Sequence, residues 1–172
     1  MLMPETLRVL SVVLCAAGLA LCAPPESFHI RNKKFGDLLR PRNASHMDGT
    51  ALVLYPAKLW KCLTWKFVPT GESTFQLENH YTSKSFAPDR AAAGAQARVK
   101  QVPLSSQGAN QPSWKFTKLP GGEYRIVDPP SGRCLTAIPE ASSGEVFVFT
   151  APCLDSGEQK WELVKAPDKL EM

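Results

Sequence analysis

Histidine is scarce in this chain of 172 residues: there are three, His29, His46 and His80. None has a second ligand at a spacing such as His-x3-His, and no Cys-x2-Cys occurs, so no metal site is expected. The sequence also lacks a Gly-x-Ser-x-Gly elbow and a phosphate-cradling glycine loop. No cofactor is implied, and the chain is not expected to be an enzyme. A large excess of either charge is lacking too: Lys and Arg number 20 against 16 Asp and Glu, a net charge of +4. Only Arg31, Lys33, Lys34, Arg40 and Arg42 gather in one stretch. Nucleic-acid binding asks for a more concentrated patch with stacking aromatics, so this run reads as a solvated basic edge. Beyond residue 22 no apolar run is long enough to cross a bilayer, and no long helical periodicity appears.

The first 22 residues form a targeting segment. Arg8 follows a short polar start, residues 9–21 are almost wholly apolar, and Pro24 and Pro25 end the run. That is too short and too quickly broken for a membrane span and fits a signal peptide cleaved after Ala20 or Cys22. Lipidation at Cys22 is disfavoured by Leu21 just before it. The expectation is a secreted or otherwise extracytoplasmic protein with no stable membrane insertion. The 150 residues that remain fit one domain with a real core. An oxidising compartment permits disulfides. Cys62 has no obvious mature partner and lies between Trp60 and Trp65 in a strand-like run, so a buried free thiol is favoured over a pairing outside the domain. Asn43-Ala44-Ser45 is a glycosylation sequon in a polar loop, relevant only in a eukaryotic source.

What the mature chain does have is short alternating runs punctuated by Pro and Gly, the pattern of an all-β fold. Examples are 50–55, 123–127 and 145–149, with turns expected at Asp48-Gly49, Gly121-Gly122 and Asp155-Ser156-Gly157. The stretch 89–97 is Ala-rich and reads as a surface loop. Above this pattern stands a repeat. Trp65, Trp114 and Trp161 lie 49 and 47 residues apart, and each opens a similar short strand. One supersecondary unit per repeat, present three times, suits a closed structure whose core takes one large residue from each unit. Aligned on the tryptophans, one pair of positions reads Leu38 with Ala57, Ser85 with Ser106, and Cys134 with Cys153. Like sits with like in all three units.

The third unit, Tyr124-Arg125-Ile126-Val127 through Gly132-Arg133-Cys134-Leu135 and Cys153 to Gln159-Lys160-Trp161, closely resembles a repeat of ricin-B-type β-trefoil lectins. The resemblance covers residues 27–166 and is weaker in the other units, where Leu63 and Pro112 stand in place of the Gln of Gln-x-Trp. It implies an all-β trefoil with pseudo-threefold symmetry, a disulfide between Cys134 and Cys153, and a core built on Trp65, Trp114 and Trp161. Residues 167–172 are left as a frayed tail.

The resemblance also implies carbohydrate binding. A sugar needs an aromatic platform for its apolar face and carboxylate or amide groups for its hydroxyls. At the family's Asp positions this chain has Arg40, Ala87 and Thr136. At the aromatic positions it has Tyr55, Leu104 and Ala151, and at the Asn-Gln positions Cys62-Leu63, Gln111-Pro112 and Glu158-Gln159. No unit keeps the full set. Unit one alone keeps a platform, Tyr55, with Asp37 and Asp48 near in sequence as replacement acceptors. Arg40 only donates hydrogen bonds and so turns that site toward acidic groups. Two readings stay open: a lectin-like module with at most one degenerate site, and a trefoil that has lost sugar binding and engages a protein partner through its loops.

Overall fold

The structure, a computed structural model, describes residues 27–91, 94, 96–104 and 112–172. The expected signal peptide, Cys22, Ser106 and Gln111 lie outside the described residues. Among the described residues twelve strands follow one another in three sets of four. Unit one holds β1 (Phe28–Asn32), β2 (Leu38–Pro41), β3 (Leu52–Tyr55) and β4 (Thr64–Gly71). Unit two holds β5 (Thr74–Asn79), β6 (Lys84–Pro88), β7 (Ala97–Pro103) and β8 (Trp114–Lys118). Unit three holds β9 (Tyr124–Asp128), β10 (Arg133–Pro139), β11 (Val146–Ala151) and β12 (Trp161–Lys165).

The outer strands of each unit close a barrel, in the order β1-β4-β5-β8-β9-β12 and back to β1. Closure leaves the barrel without an open edge. The inner strands form three hairpins, β2–β3, β6–β7 and β10–β11, that cap one end. They touch each other through Val53 opposite Phe147 and Phe149 opposite Arg98. This is the β-trefoil arrangement.

The three repeat tryptophans fill the barrel at 0%, 1% and 0% exposure. Their indole N–H groups make the same bond in each unit: Trp65 to the Leu39 carbonyl (2.9 Å), Trp114 to Phe86 (3.1 Å) and Trp161 to Leu135 (3.0 Å). Each accepting residue follows the position aligned above as Leu38, Ser85 and Cys134, so the repeat in sequence is a repeat in space. A buried indole needs such a partner. Phe86 wedges between two of the rings, edge-on to Trp65 and tilted on Trp114.

A second device, present in two of the three units, joins neighbouring units. Asn32 ends β1 fully buried, and its Nδ2 donates to the Glu158 carbonyl of unit three (3.0 Å). Asn79, ending β5, donates to the Cys62 carbonyl of unit one (2.9 Å). The side-chain oxygen of each accepts two backbone N–H groups of the following turn. Unit three has Asp128 at this position. A carboxylate cannot donate, and Asp128 instead takes a two-pronged bond from Arg90 (2.7 and 3.2 Å) and one from Ser131 (2.5 Å).

The tail departs from expectation. The backbone of Glu171 bridges that of Trp60: Lys61 N–H donates to Glu171 O (2.9 Å) and Glu171 N–H to Leu59 O (2.6 Å). These two bonds hold the tail at Glu171 against unit one.

Candidate ligand site in unit one

Cys134 and Cys153 are disulfide-bonded, with Cα atoms 5.0 Å apart. The bridge ties β10 to the segment leading into Gln159. That glutamine is 2% exposed. Its Nε2 donates to Thr136 Oγ1 and to the Pro152 carbonyl, both at 2.9 Å, and its Oε1 accepts the Leu154 N–H (2.6 Å). Thr136 in turn donates to Cys134 O (2.8 Å). Both polar side chains at the family's sugar position in unit three are therefore used internally. Beside them lies a cavity of about 370 Å³, half of whose wall is aliphatic, with Ile138, Pro139, Pro152 and Leu154. Leu154 is 64% exposed.

Unit one is built differently. Strand pairing sets Leu38 opposite Tyr55 and Arg40 opposite Val53, so Arg40 leans along its own strand pair toward the tyrosine. The Arg40 guanidinium carbon lies 3.6 Å from the centre of the Tyr55 ring. The ring face that the sequence reserves for a sugar therefore carries a cation. Trp60 stacks on Tyr55 at 5.5 Å and 28°. Tyr55, Trp60, Tyr81 and Ala44 together cover a small apolar cluster of Leu38, Cys62 and Leu63. His46 leans on Tyr81 at 4.6 Å. Cys62 is a buried free thiol. Burial pushes its pKa up, and the Arg40 guanidinium beside it partly offsets the rise.

The two candidate acceptors are not joined to this group. Asp48 is exposed and ion-paired with Lys84 of unit two (2.6 Å). Asp37 precedes β2, half-buried, and desolvation raises its pKa. Among the described residues neither pairs with Arg40. Trp60 and Tyr81 are additions the sequence reading missed. Trp60 carried a usable signal, since the position five residues before the repeat tryptophan is Ser156 in unit three.

The basic run 31–42 is a solvated edge, as expected, and at the same time an ion-paired seam with unit three. Arg31 and Lys33 pair with Glu162 (2.6 and 3.0 Å), Lys33 also with Glu123 (3.3 Å), Lys34 with Glu158, and Arg42 with Glu145 (2.6 Å). All four carboxylates belong to unit three. The hydrogen bond from Lys33, with Arg31 next, holds the Glu162 carboxyl below its ordinary range. Lys34 does the same for Glu158. Arg40 is the exception: among the described residues it has no carboxylate partner, and its Nε is buried without an acceptor. No group of three or more His, Cys, Asp or Glu side chains converges as a metal site among the described residues.

No protein-family model matches the sequence, and no curated protein does. Solved structures do match. The designed threefold-symmetric protein ThreeFoil superposes with a TM-score of 0.73 at 25% identity, covering 81% of this chain and 99% of its own. The C-half of an earthworm R-type lectin, solved in complex with GalNAc, gives 0.61 at 14% identity, covering 81% and 98%. An exo-β-1,3-galactanase from Clostridium thermocellum gives 0.72 at 19% identity, covering 81% of this chain and 30% of the enzyme. The chain thus has the fold of a ricin-B-type β-trefoil, with the pseudo-threefold symmetry that its tryptophans announce.

Proposed function

We propose that this chain is an exported, non-catalytic carbohydrate-binding module with a single degenerate site in unit one, and that this site favours acidic glycans. One observation carries the reading: Arg40 alone in the basic run lacks a carboxylate, and it is held on the face of Tyr55. Tyr55 backs the guanidinium by a cation–π contact and Arg40 offers its outer edge to a sugar carboxylate or sulfate. Trp60 supplies the neighbouring apolar surface. The earthworm R-type lectin bound to GalNAc, with the same fold, supports the ligand class.

The test is a glycan array on the mature protein, repeated with Tyr55→Ala and Arg40→Ala. Arg40→Ala is expected to weaken acidic ligands more than neutral ones, and added salt to mimic that loss. Tyr55→Ala is expected to abolish binding while circular dichroism stays unchanged. Undiminished binding in both variants would remove the site from unit one.

The rival reading, a protein partner, is favoured by the unit-three cavity, whose wall is half aliphatic and whose Thr136 and Gln159 are already bonded internally. An array with no glycan bound, together with a partner lost on Leu154→Asp, would select it.

A further inference from the structure

A second cavity, of about 490 Å³, lies between units one and three on the side of Trp60 that faces the tail. It is lined by His29, Ala57, Lys58, Leu59, Lys165, Pro167 and Glu171. Neither the paired residues of the family's sugar position nor the seam of ion pairs enters it. We propose that this cavity is an extension subsite for the second acidic group of a carboxylated or sulfated oligosaccharide whose first acidic group sits on Arg40. The inference rests on the glycan reading of unit one.

Charge and continuity support it. Lys58 and Lys165 are exposed and, unlike Arg31, Lys33, Lys34 and Arg42, have no carboxylate partner among the described residues. An ammonium that is not neutralised internally is available to an anion. Lys61, exposed and next to Trp60 in sequence, is likewise without an ion pair among the described residues. His29 is 93% covered and bonded to Thr64 Oγ1 (3.2 Å), and burial lowers its pKa. Leu59, 50% exposed, with Ala57 and Pro167 gives the apolar wall against which a sugar ring face rests. The link to unit one is a single residue. The ring of Trp60 stacks on Tyr55, and its backbone is bridged to Glu171 in the strap that walls the cavity.

Glu171 also lines the cavity and has no ion pair among the described residues; its negative charge opposes an anionic ligand, so removing that charge should strengthen binding.

The experiment is titration calorimetry of the full mature chain with a sulfated hexasaccharide, its desulfated form, a sulfated monosaccharide and an oligoglutamate of equal charge. The double variant Lys58→Ser/Lys165→Ser is expected to bind the sulfated hexasaccharide about five- to tenfold more weakly, the sum of two exposed charge contacts. It should bind the monosaccharide as the unaltered chain does. Glu171→Gln should bind the hexasaccharide about twofold more tightly. Unchanged hexasaccharide affinity in the double variant, or weaker binding in Glu171→Gln, would overturn the subsite. Equal binding of oligoglutamate would replace the glycan by an acidic protein segment. If Arg40→Ala leaves the monosaccharide unaffected while the double variant still loses the hexasaccharide, the unit-one reading fails and the cavity stands as a site by itself.

Discussion

The Asn79 clamp can be tested by changing one atom. Asn79 is fully buried, with Nδ2 donating to the Cys62 carbonyl (2.9 Å) and Oδ1 accepting the N–H groups of Tyr81 (3.1 Å) and Thr82 (3.2 Å). Asn79→Asp keeps the acceptor and its shape but replaces the donor by an oxygen aimed at a carbonyl oxygen. Unit three shows what a carboxylate requires here: Asp128 is 2% exposed and held by Arg90. Among the described residues no Lys or Arg side chain bonds Asn79. The uncompensated buried charge is expected to cost about 3–5 kcal/mol at pH 7.

At low pH the variant carboxyl is neutral, and the penalty falls to that of the rearranged hydrogen bonds, about 1–2 kcal/mol. The sign follows from burial. Desolvation raises the folded-state pKa of this carboxyl above its unfolded value, so folding takes up a proton and stability falls as pH rises. The window opens near the ordinary aspartate value, about 3.9, and spans about two pH units, because each unit corresponds to about 1.4 kcal/mol. Urea unfolding followed by tryptophan fluorescence at pH 4 and pH 7, with the unaltered chain as reference at each pH, measures both numbers. A loss below about 1 kcal/mol at pH 7, or the same loss at both pH values, would refute the clamp.

Other outcomes follow from the same structure. Ser83 holds φ +54° at the turn position where units one and three place Gly36 (+74°) and Gly132 (+66°). A left-handed non-glycine residue costs about 1–2 kcal/mol, partly offset by glycine's greater freedom when unfolded. Ser83→Gly is therefore expected to raise Tm by about 2–4 °C, and a fall would contradict the strain. Replacing Cys134 and Cys153 together by Ser opens a loop with a sequence separation of 19 and should cost about 3 kcal/mol. The fold should survive, read by circular dichroism, since units one and two close without a bridge; a chain unfolded at 25 °C would show that unit three depends on its disulfide.

The repeat was legible because its cause is local. One tryptophan per unit, a strand on either side and turn residues between them are visible in order along the chain, and a core of threefold symmetry needs all three. The paired positions of Cys134 and Cys153 were legible for the same reason. Unit one's aromatic, Tyr55, and its misplaced cation, Arg40, could also be picked out one by one.

What the sequence could not show is which groups those residues meet. The basic run looks the same whether it faces water or unit three; only closure of β1 on β12 brings Arg31 within 2.6 Å of Glu162, 131 residues away in sequence. With the β3–β11 contact that brings Glu145 to Arg42, that closure pairs every neighbour of Arg40 in the run and leaves Arg40 on Tyr55. It also gives residues 167–172 a backbone partner. Composition and period thus determined the trefoil, because core packing is set by residues that repeat. Pairing between the first and last strands decided where the free cations lie, because a charge finds its partner through space and not along the chain.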